Sequence, residues 1–217
     1  MPMATSQWAC LRTGSSQPNK LYARNKKQLW LLAGGNGAGK STFYRTRLEP
    51  LGMAFINADV LAKHLFPNEA EERSYEAAKI AESMRLELLT EGRSFCFETV
   101  FSHPSKIDFI AKAKALGYEI VLVYIHLETA ALNQARVSQR VSEGGHHVPD
   151  EKVISRIPRV MRHIKNALPL CDISYILDNS HLDSPFQQIA VLKNGQASFI
   201  KEPLSIWAMT LLSGYLK

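Results

Sequence analysis

The chain has 217 residues, 46% hydrophobic and 21% charged, an ordinary balance for a globular protein with a sizeable core. Its 26 basic and 20 acidic side chains leave a formal charge of +6, which suits a phosphate-rich partner, whether nucleotide or nucleic acid, and no apolar run approaches the roughly 20 residues of a membrane helix. Cys10, Cys96 and Cys171 lack metal spacing, and so sparse and odd a set implies reduced thiols in a cytoplasmic protein without a secretory leader.

Residues 1–24 are polar and irregular and read as a flexible arm, leaving 25–217 as one domain. Leu29 to Ala33 is a short continuous apolar run, the pattern of a buried parallel strand. Gly34, Gly35, Asn36, Gly37, Ala38, Gly39, Lys40, Ser41 and Thr42 follow, and they hold the spacing Gly-x-x-x-x-Gly-Lys-Ser. Thr42, Phe43 and Tyr44 can then open a helix. Strand, glycine-rich loop and helix together make a phosphate cradle, because curled backbone N–H groups and the helix N-terminus face inward. Lys40 would reach the β- and γ-phosphates of ATP, and the Ser41 hydroxyl would ligate Mg²⁺.

Met53 to Ile56 read as a second strand, with Asn57 and Asp59 near its C-terminal end, where open α/β sheets bind ligands. Asp59 has two open readings: a cap for the helix beginning at Val60, or the base that takes a proton from a substrate hydroxyl. A helix is expected over Glu69 to Glu91, with Ala77, Ile80, Ala81, Met84 and Leu88 on its apolar stripe. Ser94 to Phe97 form a third strand, placing Glu98 and Thr99 at the same sheet edge, either to hold the acceptor or a metal-bound water, or as a solvated acid and a capping threonine.

A helix from His103 to Gly117 leads into Ile120 to Ile125, the most β-like run of the chain. That run contains no acid, so the usual metal-binding aspartate of motor ATPases is missing, and His126 after it reads as a packed residue. Ala130 to Val141 is a helix with Arg136 and Arg140 on one face. Residues 144–149 break it, and a second helix carries Arg156, Arg159 and Arg162, with Pro158 expected to kink it. Two arginine-bearing arms around a glycine hinge suit a lid that closes on a phosphoryl group; a solvated basic face is the alternative for Arg140 and Arg156 and, more so, for Arg136, Arg159 and Arg162. His146 and His147 lack a Cys or acid at metal spacing. Ile173 to Leu177 form a fifth strand ending in Asp178-Asn179-Ser180, which either contacts a nucleotide base or caps a turn. A hairpin around Asn194-Gly195 and a closing helix from Leu204 complete the chain. The expected fold is therefore a three-layer α/β P-loop NTPase with a mainly parallel five-stranded sheet, a helical lid and a C-terminal hairpin and helix.

The sequence resembles the zeta-toxin superfamily of P-loop kinases, especially its short bacterial members, from about Gln28 to Ser180. The likeness rests on AGGNGAGKSTF at Ala33 to Phe43, INAD at Ile56 to Asp59, FET at Phe97 to Thr99, ARVSQRVSEGGHHVP at Ala135 to Pro149, Arg156, and LDNS at Leu177 to Ser180. The resemblance implies transfer of the ATP γ-phosphate to a hydroxyl, with UDP-N-acetylglucosamine the acceptor of the best understood members. It gives Lys40 and Ser41 to ATP and Mg²⁺, Asp59 to the acceptor hydroxyl, Glu98 and Thr99 to acceptor positioning, and Arg140 and Arg156 to the phosphoryl group. It also implies a toxin held in check by a small helical antitoxin. Other readings are a kinase of an antibiotic, nucleoside or RNA end, or an ATP-gated binding module. A membrane or nucleic-acid partner is disfavoured, since the basic residues are not interleaved with aromatics.

Overall fold

A computed structural model describes residues 26–143 and 148–216. The N-terminal arm, the central glycines of the hinge, His146 and His147 lie outside the described residues. Seven strands form one sheet: β1 (Gln28–Ala33), β2 (Phe55–Ile56), β3 (Phe95–Thr99), β4 (Glu119–His126), β5 (Ile173–Asp178), β6 (Gln187–Lys193) and β7 (Gln196–Ile200). Their order is β2-β3-β1-β4-β5-β6-β7. The first five in that order run parallel, and the β6–β7 hairpin continues the same sheet antiparallel from β5. The five parallel strands are those read from the sequence; the hairpin extends their sheet instead of standing apart.

Alternation along each strand builds the three layers. Leu29 and Leu31 face a core with Phe95, Phe97, Ile120, Leu122 and Tyr124. That face is covered by α3 (Ser74–Thr90), α4 (Ser105–Ala115), α6 (Asp150–Ala167) and α7 (Ile206–Leu212). Trp30 and Leu32 face the other way, onto Phe43, Leu48, Val121, Val123 and Ile125. Here the cover is α1 (Lys40–Phe43), continued by a π-helical turn over Tyr44–Leu48. Ala58 and Leu61 of α2 (Ala58–Leu65) pack against the first core, and Leu132 of α5 (Ala130–Ser142) packs against the second. Cys96 and Cys171 are buried free thiols.

Some boundaries differ from expectation for local reasons. Strand β2 is two residues long; ahead of it the Met53 carbonyl accepts from the Tyr44 hydroxyl at 2.8 Å and the Ala54 carbonyl from the Cys96 N–H at 2.7 Å. Helix α3 begins at Ser74, not Glu69: the stretch before it is acidic and exposed, and Arg73 pairs with Glu69 and Glu76 in a turn. Pro158 lies inside an unbroken α6. The carbonyl it strands is that of Ile154, at an exposed position of α6 where water can serve it.

Candidate active site

The parallel topology brings the C-terminal ends of β1, β2, β3 and β4 to one edge, and the glycine-rich loop leaves β1 there. Close packing explains its composition. A Cβ on Gly34 would lie 2.2 Å from the Ile125 carbonyl oxygen, and one on Gly39, at φ +96°, would lie 2.5 Å from the Asn179 amide nitrogen. The loop is held from two sides. From α5, the Asn133 amide donates to the Asn36 carbonyl at 2.6 Å. From the end of β5, the Asn179 amide donates to the Ala38 carbonyl at 2.9 Å, and its own oxygen accepts from the Phe186 N–H at 3.1 Å. Arg136 then donates to the Asn179 carbonyl at 2.8 Å, tying α5 to that turn.

Lys40 is only 6% exposed. Its ammonium donates to the carbonyls of Gly34 at 3.1 Å and Gly35 at 3.0 Å and stands 3.7 Å from Glu98. Burial pulls its pKa below the ordinary lysine value, while Glu98 and then Asp59 pull it back up. Glu98 is the hub of the site. It accepts from the Ser41 hydroxyl at 2.6 Å and from the Asn57 amide at 2.9 Å. A carboxylate beside the loop serine thus comes from β3, on the opposite side of β1 from β4, where an aspartate was sought.

Asn57, not Asp59, caps α2: its side-chain oxygen accepts from the N–H groups of Asp59 at 2.8 Å and Val60 at 3.2 Å. This corrects the capping reading of Asp59 and leaves its carboxylate in the first turn, on the wall of a cleft. The Thr99 hydroxyl accepts from the Phe101 N–H at 3.0 Å, so it does cap a turn, and Thr99 also lines the cleft.

That cleft has a volume of about 440 Å³ and brings together Asn36, Lys40, Asn57, Asp59, Glu98 and Thr99 with Arg140 and Arg156. Arg156 donates to the Asn36 side chain at 3.2 Å, linking the second lid arm to the loop. The arms also meet through Val137 on α5 and Val148 and Val153 at the start of α6. Arg159 turns back to the Ser155 carbonyl at 3.1 Å, and both Arg159 and Arg162 are exposed. Sequence reasoning missed the far wall, where Tyr75, Lys79, Glu82 and Arg85 on α3 and Ser102 and Lys106 before and on α4 complete the cleft. Arg85 had a legible signal, since it falls between Ala81 and Leu88 on the apolar stripe of α3, where a cation is out of place. His126 is buried within β4, 2.8 Å from the Tyr124 hydroxyl and against the Trp207 ring. Asp178, Asn179 and Ser180 serve loop and turn contacts at the end of β5.

A three-layer sheet of this order with a glycine-rich loop after its central strand defines a P-loop nucleotide-binding protein of kinase-like fold. The family model AAA_33, an AAA domain, matches residues 29–163, and the chain belongs to that family. An uncharacterised protein of Haemophilus influenzae is 27% identical over 135 residues, 59% of this chain and 96% of that one. The solved structure of AvrRxo1-ORF1:-ORF2 with ATP is similar at TM-score 0.65 and 19% identity, over 83% of this chain and 65% of that one. This chain therefore spans less than two thirds of that relative. A structure from the PezAT chromosomal toxin–antitoxin system of Streptococcus pneumoniae is similar at TM-score 0.58 and 17% identity, over 95% and 89% of the two chains. Among the described residues no helix is long and apolar enough to cross a membrane, and no group of three or more His, Cys, Asp and Glu side chains could hold a metal ion by itself.

Proposed function

We propose that the protein is an ATP-dependent kinase that phosphorylates a hydroxyl of a small molecule. One observation carries this reading: the Asp59 carboxylate lines the same cleft as Lys40 and the two lid arginines, Arg140 and Arg156. A nucleotide-binding module without an acceptor has no use for a carboxylate opposite its phosphate cations.

In this reading the triphosphate of ATP lies on residues 34–42, and Lys40 leaves its two loop carbonyls to contact the β- and γ-phosphates. The donor set suits magnesium, whose preferred ligands are hard oxygens: the Ser41 hydroxyl and, beside it, Glu98 would hold the ion. When bound, it neutralises phosphate charge. Asp59 accepts the proton of the acceptor hydroxyl as that oxygen bonds to the γ-phosphorus. The bond from that phosphorus to the β,γ-bridging oxygen breaks, and ADP leaves with that oxygen. Arg140 and Arg156 stabilise the charge on the transferring group with fixed guanidinium donors. Asn57 holds Glu98 and the start of α2, so it positions the two carboxylates rather than reacting. Thr99 orients the acceptor.

The acceptor proposed first is UDP-N-acetylglucosamine, supported by the motif resemblance to zeta toxins. The same resemblance suggests a small helical antitoxin as partner; the similarity to a structure from AvrRxo1-ORF1:-ORF2 supports a partner protein, and that to a structure from the PezAT toxin–antitoxin system supports a toxin role. The test is incubation of the pure protein with γ-labelled ATP, Mg²⁺ and UDP-N-acetylglucosamine, and separately with a metabolite extract. Label in UDP-N-acetylglucosamine supports the full reading. Label in another small molecule keeps the kinase and replaces the acceptor. ATP binding without a labelled product overturns the kinase.

A further inference from the structure

Asn36 stands within the glycine-rich loop, and both α5 and α6 bond to it. From α5 the Asn133 amide donates to its backbone carbonyl at 2.6 Å; from α6 the Arg156 Nη1 donates to its side-chain oxygen at 3.2 Å. The glycines on either side make the first contact possible. A Cβ on Gly35 would lie 2.9 Å from the Asn133 side-chain nitrogen, and one on Gly37, at φ +76°, would lie 2.8 Å from the Asn133 carbonyl oxygen. Helix α5 therefore rests directly on the loop, and Asn133 is buried there. Of residues 35–37 only Asn36 has a side chain, and it lines the cleft and meets α6. Both bonds use oxygens of Asn36, so neither takes a backbone N–H that a phosphate needs. Helix phase brings Arg156 to this point. Val153, Val160, Ile164 and Ala167 form the buried stripe of α6, and Arg156 lies on it, three residues after Val153 and four before Val160. A guanidinium carries five N–H donors in one plane. The bond to Asn36 occupies one of them and sets the side chain in the cleft.

We propose that Asn36 is the positioning residue for Arg156: it holds that guanidinium over the loop before nucleotide binds, and so sets the preference of the site for a nucleoside triphosphate over a diphosphate. The inference rests on the kinase reading for the transfer step, but the nucleotide preference does not. When a triphosphate fills the loop, its γ-phosphate meets a guanidinium whose rotamer is already chosen, so less conformational freedom is lost on contact. The donors left over by Asn36 make that contact. A diphosphate has no γ-phosphate to meet it and gains nothing from the Asn36 side chain. The bond from Asn133 acts differently: it braces the loop backbone, which both nucleotides use.

The test uses the full chain with Mg²⁺ and measures, by calorimetry, the ratio of its affinities for a non-hydrolysable ATP analogue and for ADP. Asn36→Ala keeps the backbone carbonyl that Asn133 holds and removes only the bond to Arg156. It lowers the preference for the analogue about tenfold, the scale of one hydrogen bond to a charged group. Asn36→Gln, which keeps an amide oxygen on a longer stem, recovers part of the preference. Arg156→Ala lowers it at least as far, and in that background Asn36→Ala changes it by less than about twofold, because the two side chains act as one unit. A thermal melt of each variant confirms that it is folded. An unchanged preference in Asn36→Ala, with both nucleotides weakened alike or neither weakened, overturns the inference. So does a full further loss when Asn36→Ala is added to Arg156→Ala. If the preference depends on the pair but no acceptor is ever labelled, the positioning role stands and the kinase falls. If an acceptor is labelled and the preference ignores Asn36, the kinase stands and the positioning role falls.

Discussion

The two halves of the cleft are built on opposite rules. On the loop side every contributor is tied: Asn133, Asn179 and Arg136 hold the backbone, and Lys40 rests on the Gly34 and Gly35 carbonyls beside Glu98. On the α3–α4 side the cations Lys79, Arg85 and Lys106 are gathered without ion pairs among the described residues. The first arrangement suits a ligand of fixed shape, the triphosphate, for which preorganised donors give most of the stabilisation. The second waits for charge brought by the ligand. The contrast locates specificity: substitutions on the loop side should impair the use of ATP with every acceptor, whereas those on the far wall should choose among acceptors.

The largest expected effect breaks the comparison from the loop side. Lys40→Met should lower kcat by about 10³-fold, the scale of losing a charge at the transferring group, with the fold kept by circular dichroism. Turnover within tenfold of wild type would mean that the loop lysine only braces the loop. Asp59→Asn is next: kcat should drop by about 10²-fold, as for loss of a general base, with ATP affinity within about threefold in a fluorescent-nucleotide titration. Normal turnover would leave Asp59 a first-turn acid of α2 and nothing more.

Gly39→Ala sharpens the role of rigidity. The added Cβ meets the Asn179 amide at positive φ, so stability should fall by about 1–3 kcal/mol and ATP binding should weaken more than acceptor binding. Urea melts and separate titrations of the two ligands would check this. Arg136→Ala removes one hydrogen bond to the Asn179 carbonyl. A loss of about 1 kcal/mol predicts roughly a fivefold higher KM for ATP and an unchanged KM for the acceptor; equal changes in both would erase the distinction between the halves.

A last prediction concerns pH. Burial lowers the His126 pKa to about 4 against the upward pull of Asp178. The folded protein keeps His126 neutral while the unfolded chain protonates it near its ordinary value of about 6.5. The stability present above that value should therefore be lost as pH falls toward 4, at up to about 1.4 kcal/mol per pH unit. Urea melts at pH 7 and pH 5 should show the drop, and His126→Asn should flatten it.

The glycine-rich loop was legible because its spacing is local: strand, turn and helix are adjacent in the chain, and each residue type answers a requirement within a dozen positions. The five parallel strands were legible for the same reason, as short apolar runs. The hub role of Glu98 was not, because its bond to Ser41 joins residues 57 apart, and only the pairing of β3 with β1 aligns Leu32 with Glu98 and Ala33 with Thr99. The cap of α2 went to Asn57 rather than Asp59 by a shift of two residues that composition alone does not resolve. Arg156, Arg159 and Arg162 share one predicted arm, yet helix phase turns Arg159 and Arg162 to solvent while Arg156 reaches Asn36.

By itself the sequence determined a phosphate-binding loop, the alternation of strands and helices that carries it, and a set of acids and arginines at the right ends of those elements. Periodicity and glycine spacing encode such features within a few turns of chain. Only the tertiary structure decided which acid stands beside the loop serine, which arginines enter the cleft, and that α3 and α4 close it with an unneutralised cationic wall. Those are contacts between residues dozens of positions apart, and they are set by strand order and helix phase, which no local pattern records.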